Sequence, residues 1–152
     1  MSDSRPVRIL VADDDHDDCL LIRDAFESSG YSEGIQFVHD GEQLIKHLRQ
    51  NRSATATAEA ELPVLILLDL NMPLKDGRET LAELKADDAL RAIPVVVLST
   101  SSSEFDVTRT YADGASSFIT KPASFARFQE VIQSIAHYWL ETVDLPGGRG
   151  RG

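Results

Sequence analysis

The chain has 152 residues, of which 42% are hydrophobic, and this is enough apolar material for the core of one compact domain. Its formal net charge of −10 disfavours binding to nucleic acid or to an anionic membrane surface, because phosphate groups attract clustered lysines and arginines. No run of roughly 18 apolar residues or signal peptide is visible, so we expect a soluble cytoplasmic protein. The single cysteine, Cys19, rules out an intramolecular disulfide and is predicted to be a small apolar residue of the first helix.

Five short apolar segments recur along the chain. Three of them are rich in β-branched or other large aliphatic residues, which is typical of strands buried on both faces of a parallel sheet, and two are weaker. In chain order the predicted strands are Val7–Ala12, Ile35–His39, Val64–Leu68, Pro94–Leu98 and Ser116–Thr120.

Stretches with helical spacing follow these segments. Their apolar positions are Leu20, Leu21, Ala25 and Phe26, then Leu44, Ile45 and Leu48, then Leu81 and Leu84, then Phe105, Thr108 and Ala112. A last helix is predicted from Phe125 to Val143. Because parallel strands need crossover helices, this alternation predicts an α/β fold with a five-stranded, doubly wound parallel sheet.

The predicted domain spans residues 6–145. Within it, residues 51–61 (NRSATATAEAE) are polar, which predicts either an extension of the second helix or a mobile loop. Residues 146–152 (PGGRGRG) predict a disordered tail. We expect no DNA-binding output domain, since none follows residue 145, and we expect the output to pass through protein contacts.

Carboxylates end two of the predicted strands, at the edge of the sheet where doubly wound folds bind ligands. They would repel one another unless a cation lay between them, and Mg²⁺ prefers such oxygen ligands. Asp14 and Asp69 could bind Mg²⁺ directly, Asn71 could supply its main-chain carbonyl, and Asp13 could act through water. The sequence therefore predicts a magnesium site.

Each acidic residue also has a simpler interpretation. For Asp15, Asp17 and Asp18 we favour helix capping, because acids stabilise a helix N-terminus. Asp69 differs, since in LLDLNMPLKDG a proline and a glycine shape a loop that would expose its carboxylate. Lys121 could be a surface lysine, or it could supply a positive charge to a phosphoryl oxygen.

Four motifs, in this order and spacing, resemble the receiver domains of two-component response regulators. They are Asp13-Asp14 after ILVA, DLNMPLKDG with Asp69, PVVVLST with Ser99, and GASSFITKP ending in Lys121-Pro122. The resemblance covers about residues 6–140 and implies the flavodoxin-like (βα)5 receiver fold. The forms VVVLST and DLNMP are also similar to those of single-domain regulators that pair with phytochrome-type sensor kinases.

The resemblance implies a phosphoacceptor switch with intrinsic phosphorylation and dephosphorylation chemistry, not a conventional enzyme. Asp69 would take a phosphoryl group from a phosphohistidine of a sensor histidine kinase, in a Mg²⁺-dependent reaction. Lys121, the Ser99 hydroxyl and the backbone N–H of Thr100 would hold the phosphoryl oxygens. Ser99 and Phe118 would be the switch residues, with Phe118 largely inward, although Phe118 could equally be an ordinary core residue.

Two other functions remain open. A small Mg²⁺-dependent phosphatase or phosphotransferase would also use an aspartate nucleophile, but such enzymes usually carry a second aspartate two residues later, where this chain has Asn71. A degenerate receiver could act only as a binding module. In the receiver interpretation, Asn71 and Ser101 would flank the path of the attacking water.

The last predicted helix carries more apolar surface than one contact would bury. One stripe should pack on the sheet, and Val131 and Tyr138 extend it sideways, which predicts a protein partner. The resemblance to single-domain receivers implies that this partner is a second copy, bound as a homodimer through the fourth helix, the fifth strand and the fifth helix. Phe105, Tyr111, Phe118 and Lys121 would place that face next to the switch. The alternative is that Val131 and Tyr138 cover the edge of the domain itself. The stripe consists of Phe125, Phe128, Ile132, Ile135 and Trp139.

Overall fold

Five parallel strands form one sheet in the part of the chain that the structure describes. Residues 8–53, 62–100 and 103–146 of a computed structural model are described, with only the backbone for residues 51–53. The strands are β1 (Ile9–Ala12), β2 (Ile35–Val38), β3 (Leu65–Asp69), β4 (Val95–Ser99) and β5 (Ser117–Thr120). Their order across the sheet is β2-β1-β3-β4-β5. The predicted five-stranded, doubly wound parallel sheet is confirmed.

Helices cover both faces of this sheet. They are α1 (His16–Ser28), α2 (Gly41–Ser53), α3 (Gly77–Ala86), α4 (Glu104–Ala112) and α5 (Phe125–His137). Alternate residues of β1 face opposite sides, so that Leu10 joins the core under α2 and α3 while Ile9 joins the core under α1 and α5. The three central strands, β1, β3 and β4, are buried along their whole length, as their apolar runs predict.

Strand ends differ from the prediction by one or two residues. β3 and β4 each run one residue further than predicted, so Asp69 and Ser99 are themselves the last strand residues. Backbone pairing of Asp69 with Leu98 holds the Asp69 main chain within the sheet. The prediction that a loop would expose the Asp69 carboxylate was wrong: Asp69 is only 6% exposed, because its main chain belongs to a buried central strand.

The prediction for the last helix was partly wrong. α5 ends at His137, and a π-helical turn, Tyr138–Thr142, follows it before the chain becomes extended at Val143. Phe125 is 64% exposed and does not pack on the sheet, whereas Phe128, Ile132 and Ile135 are buried as predicted. Phe125 lies at the first position of the helix, beyond the part of α5 that the sheet covers.

The predicted apolar stripe of α4 was also wrong. Phe105, Thr108 and Ala112 are exposed, and Thr110 is the buried residue of this helix. Thr110 tolerates burial because its hydroxyl donates to the carbonyl of Asp106 at 2.8 Å. With few apolar residues, the spacing alone did not determine which face of α4 meets the sheet.

Some predictions fall outside the described residues. α2 continues to Ser53, and the rest of the 51–61 segment lies outside the described ranges, as do residues 147–152 of the tail and Ser101. The domain bounds 6–145 stay a prediction. Among the described residues, no helix is both long enough and apolar enough to cross a membrane.

Candidate functional site

Three carboxylates meet at the carboxyl edge of the sheet. Asp13 and Asp14 follow β1, and Asp69 ends the neighbouring strand β3. One carboxylate oxygen from each of the three lies within 4.8 Å of the others. Asp13 and Asp69 are buried, whereas Asp14 is exposed. The parallel arrangement thus brings together the three acids that the sequence singled out.

Asp13 is fixed by its surroundings. Its backbone N–H donates to the carbonyl of Val38, and its Oδ1 accepts the backbone N–H of Asp15 at 2.9 Å. Its own carbonyl lies 3.0 Å from Nδ1 of His39, which must carry the proton to donate there. The Sγ of Cys19 approaches the same carbonyl at 3.4 Å. These contacts order the loop between β1 and α1 around Asp13.

Asp69 is positioned by a close crossing of β3 and the start of α3. The backbone N–H of Gly77 donates to the carbonyl of Leu70 at 2.8 Å, so the helix begins directly against the end of the strand. Asp76 caps α3 and forms a reciprocal capping box with Glu79. In the loop between Asp69 and Gly77, Leu74 has a φ of 65°, an unusual conformation for a non-glycine residue. This conformation helps the loop turn back towards the strand.

Lys121 supplies the positive charge of the site. Its Nζ lies 2.8 Å from an oxygen of Asp13, 2.8 Å from an oxygen of Asp18, and 3.8 Å from Oδ1 of Asp69. Only 5% of its side chain is exposed, so these attractions act in a poorly solvated environment. Its backbone N–H donates to the carbonyl of Ser99, which ties the loop after β5 to the end of β4.

The charges at this edge perturb one another's protonation. Burial raises the pKa of Asp69 to about 6, with the attraction of Lys121 opposing this shift and the repulsion of Asp13 adding to it. Burial also raises the pKa of Asp13, against the attraction of Lys121. Burial would lower the pKa of Lys121, but its carboxylate partners outweigh this and raise it. One ammonium group therefore only partly neutralises the carboxylates.

The donor set fits a hard divalent cation. All the candidate ligands are oxygens, and Mg²⁺ prefers oxygen ligands at roughly 2.0–2.1 Å, so opposite ligands on one ion lie ~4.2 Å apart. The 4.8 Å spread of the three carboxylates is close to this and needs only small side-chain movements. Asn71, exposed two residues beyond Asp69, is near enough in the chain for its carbonyl to contribute.

The remaining predicted residues surround this cluster. Ser99 is buried at the end of β4, and Thr100, the next residue, is exposed. Phe118, on the edge strand β5, is half-buried and packs against the core under α2 and α3. Its backbone N–H donates to the hydroxyl of Tyr111 at 3.1 Å, which links β5 to α4.

Sequence reasoning missed one member of the site. Asp15 is the N-cap of α1, as predicted, but Asp18, assigned to the same capping role, also pairs with Lys121. Its place in the helix gives no signal for this, because the partner lies 103 residues away. Cys19 is buried in α1, as predicted, and burial raises its pKa to about 12, which leaves it unreactive.

The sequence matches a known family over most of its length. Residues 9–133 match the family described as the response regulator receiver domain. The chain is 37% identical over 142 residues to the probable methanogenesis regulatory protein FilR2 of Methanothrix harundinacea, covering 93% of this chain and 89% of FilR2. It is 38% identical over 141 residues to the response regulator Rcp1 of Synechocystis sp., covering 93% of this chain and 94% of Rcp1.

Solved structures show the same architecture. The phosphorylated cyanobacterial phytochrome response regulator RcpA has a TM-score of 0.83 at 40% identity, covering 93% of this chain and 99% of RcpA. The Mn²⁺-bound form of Rcp1 has a TM-score of 0.81 at 38% identity, with coverage of 93% and 99%. The chain therefore belongs to the family of response-regulator receiver domains, the phosphoacceptor and metal-binding switches of two-component signalling.

Proposed function

We propose that Asp69 is the phosphoacceptor of this receiver domain. A carboxylate oxygen of Asp69 attacks the phosphorus of a phosphohistidine; the new O–P bond forms as the N–P bond breaks, and the histidine ring keeps the electron pair. The observation that supports this most directly is the place of Asp69, buried at the end of a central strand, inside the acidic cluster and 3.8 Å from Lys121. The reaction is a property of the switch, which also loses the phosphoryl group by its own hydrolysis.

Mg²⁺ would be held by Asp14, Asp69 and the carbonyl of Asn71, with Asp13 acting through water. When bound, it neutralises the negative charge that phosphoryl transfer concentrates at this edge. The water-mediated role of Asp13 is supported by its contacts, since one oxygen already accepts the N–H of Asp15 and the other binds Lys121. Asp14 is exposed and, within the described ranges, forms no ion pair with Lys121.

Three further groups would hold the phosphoryl oxygens. Lys121 needs to move little to reach a group on Asp69, because its Nζ is already 3.8 Å from Oδ1. The Ser99 hydroxyl and the Thr100 backbone N–H, at the end of the adjacent strand β4, would bind the others. Movement of Ser99 towards the phosphoryl group would then be passed to Phe118, which is on the neighbouring strand β5.

We propose that the donor is a sensor histidine kinase of the phytochrome type, working in the cytoplasm. The similarity to RcpA, described as a phytochrome response regulator, supports the kinase class. The buried free thiol of Cys19 is compatible with a reducing compartment. The output would be a protein contact, without a nucleic acid or a membrane, in keeping with the net charge of −10.

We further propose that two copies associate through the α4–β5–α5 face, formed by α4, β5 and α5. Tyr111 of α4, whose hydroxyl binds β5, and Tyr138 of the π-helical turn after α5 are exposed on it, and a groove of about 490 Å³ between β5 and α5 is lined by Ile119 and Trp139 among others. Phe105, by contrast, lines a groove between α4 and α3. The exposed pair Arg127–Glu130 places both charge signs on α5, which suits a self-complementary contact.

The alternative is that this apolar surface only covers the edge of the domain, and half-buried Val131 does pack against the core. Sedimentation of the wild type and of the double variant Val131→Glu/Tyr138→Glu separates the two. We expect a dimer that the variant loses, with phosphorylation changing its stability by ~1–3 kcal/mol. A wild type that stays monomeric in both phosphorylation states contradicts the proposal.

Incubation with Mg²⁺ and acetyl phosphate, followed by mass spectrometry, tests the phosphoacceptor. We expect one added phosphoryl group, on Asp69, which is lost in Asp69→Asn. Labelling of another residue would overturn the assignment. Multiple turnover of a phosphomonoester would instead support the phosphatase hypothesis, although Asn71 stands where such enzymes place their general acid.

A further inference from the structure

Lys121 is held mainly by carboxylates other than that of Asp69. Its Nζ is hydrogen-bonded to Asp13 and to Asp18, each at 2.8 Å, whereas the 3.8 Å to Asp69 is too long for a hydrogen bond. The Asp18 side chain is 21% exposed and the other carboxylates of this set are less exposed still. Asp18 is therefore a main partner of the lysine, and it comes from a helix, not from a strand end.

Asp18 does not play the part that its position in α1 normally implies. With Asp15 as N-cap, Asp18 is the third helical residue, and in a capping box its carboxylate would accept the backbone N–H of the N-cap. Here that N–H, from Asp15, donates to Asp13 at 2.9 Å. The backbone N–H of Asp18 still donates to Asp15 at 3.0 Å, which fixes the turn. The Asp18 carboxylate is thus left for Lys121.

A contrast within the chain shows that this arrangement is not general. In α3, the N-cap Asp76 and the third residue Glu79 form both hydrogen bonds of the box. In α1 the equivalent carboxylate crosses to a lysine 103 residues away. The difference lies in Asp13, whose carboxylate accepts the backbone N–H of the N-cap residue. The loop after β1 therefore directs both Asp13 and Asp18 to the same ammonium group.

Loss of the Asp18 charge would change where Lys121 rests. An ammonium group has three donors, and with one partner gone the nearest remaining carboxylates are those of Asp13 and Asp69. A lysine drawn towards Asp69 would compete with a divalent cation for the same oxygens. The position of Lys121 and the affinity for Mg²⁺ are therefore linked through Asp18.

We propose that Asp18 is a positioning residue for phosphoryl transfer. It holds Lys121 on the α1 side of the cluster, so that Asp69 stays available to Mg²⁺ while the third donor of the lysine faces the incoming phosphoryl oxygen. This inference rests on the proposed roles of Asp69 and Lys121.

The test compares Asp18→Asn with Asp17→Asn in the full chain. Asp17 is the preceding acid of the same helical turn; it is exposed and forms no ion pair with Lys121 in the described part of the chain, so both variants lose one charge near the site. Calorimetric titration with Mg²⁺ should show a Kd raised roughly tenfold by Asp18→Asn. Asp17→Asn should raise it by less than about threefold, because the charge of Asp17 is solvent-screened.

A second readout follows the reaction itself. With acetyl phosphate, Asp18→Asn should need more Mg²⁺ for half-maximal labelling of Asp69, and its labelling rate at saturating Mg²⁺ should be lower than that of the wild type, because Lys121 is no longer held towards the incoming phosphoryl oxygen. A change in helix capping alone would move neither quantity selectively. Equal Mg²⁺ affinities of Asp18→Asn and Asp17→Asn would overturn the proposal.

Repeating the titrations of Asp18→Asn and Asp17→Asn in a Lys121→Met background tests whether Asp18 acts through Lys121. Without the ammonium group, Asp18→Asn and Asp17→Asn should affect the Mg²⁺ affinity equally; a persisting difference would mean that Asp18 acts on the metal directly, which also overturns the proposal. If Lys121→Met fails to fold, the comparison of Asp18→Asn with Asp17→Asn in the otherwise unaltered chain still tests the proposal. A wild type that is never labelled at Asp69 would refute the proposed function, and the Mg²⁺ titrations would still decide on Asp18.

Discussion

Gly77 lies so close to Asp69 that a Cβ atom at position 77 would be 2.2 Å from the Asp69 carbonyl oxygen. The start of α3 therefore rests directly on the backbone that carries the proposed phosphoacceptor. No side chain can be accommodated there without moving either the helix or the strand end.

Gly77→Ala should accordingly lower both the stability and the Mg²⁺ affinity of the protein. Overpacking of this kind costs about 1–3 kcal/mol, and the displaced strand end would carry Asp69 away from Asp13 and Asp14. The measurements are urea unfolding and Mg²⁺ titration. Gly30→Ala is the control: it places a side chain at a φ of 94° but has no atom within 4 Å, so it should cost stability and leave the Mg²⁺ affinity unchanged. A Gly77→Ala protein with normal Mg²⁺ affinity contradicts the prediction.

Asp69→Asn should stabilise the metal-free protein at neutral pH. The pKa of Asp69 is raised to about 6 in the folded state, so folding becomes less favourable as the pH rises from about 4 through 6 and Asp69 ionises. The neutral amide removes this penalty, and the variant should gain about 1–3 kcal/mol over the wild type at pH 7.

The pH dependence provides the check on Asp69→Asn. In chelator, the difference in unfolding free energy between Asp69→Asn and the wild type should grow between pH 4 and pH 7, and Mg²⁺ should reduce it at pH 7. A difference that is constant over this range would show that the charge of Asp69 is not the cause.

Mg²⁺ should raise the melting temperature of the wild type, because it binds the folded cluster and not the unfolded chain. At about 100 times its Kd, the ion should add roughly 2.7 kcal/mol to the free energy of unfolding. Asp14→Ala should lose most of this gain, since Asp14 is proposed as a direct ligand and is exposed, so its removal leaves the core intact. Asp17→Ala, an equally exposed acid nearby, should keep the gain. Equal behaviour of the two variants would argue against Asp14 as a ligand.

Tyr111→Phe should loosen the link between α4 and β5. The Tyr111 hydroxyl accepts the backbone N–H of Phe118 on the outer edge of the sheet, and losing this acceptor should cost about 1 kcal/mol. Hydrogen exchange of the Phe118 amide should become faster in the variant. Tyr138→Phe, which removes the hydroxyl of a similarly exposed tyrosine on the π-helical turn, should leave this amide unchanged. Unaltered exchange in Tyr111→Phe would mean that the hydroxyl does not protect β5.

Local patterns were sufficient for the sheet and for the acidic cluster. The apolar runs of β1, β3 and β4 can be buried on both sides only in a parallel sheet covered by helices, and the strict alternation of strand and helix requires crossover connections. Such connections place the carboxyl ends of all the strands on one edge of the sheet. The sequence could therefore predict the cluster of Asp13, Asp14 and Asp69, because their proximity follows from the topology alone.

The fold class and the carboxylates at the sheet edge thus follow from local sequence patterns, whereas the covered helix faces and the pairing of charges depend on tertiary contacts. Helical spacing identifies a stripe but not its partner, which is why Phe105 and Phe125 proved exposed. Asp18 looks like any acid in a first helical turn until the fold brings Lys121 within 2.8 Å of it. Ion pairs depend on distances of a few ångströms between residues far apart in the chain, and no local pattern encodes those distances.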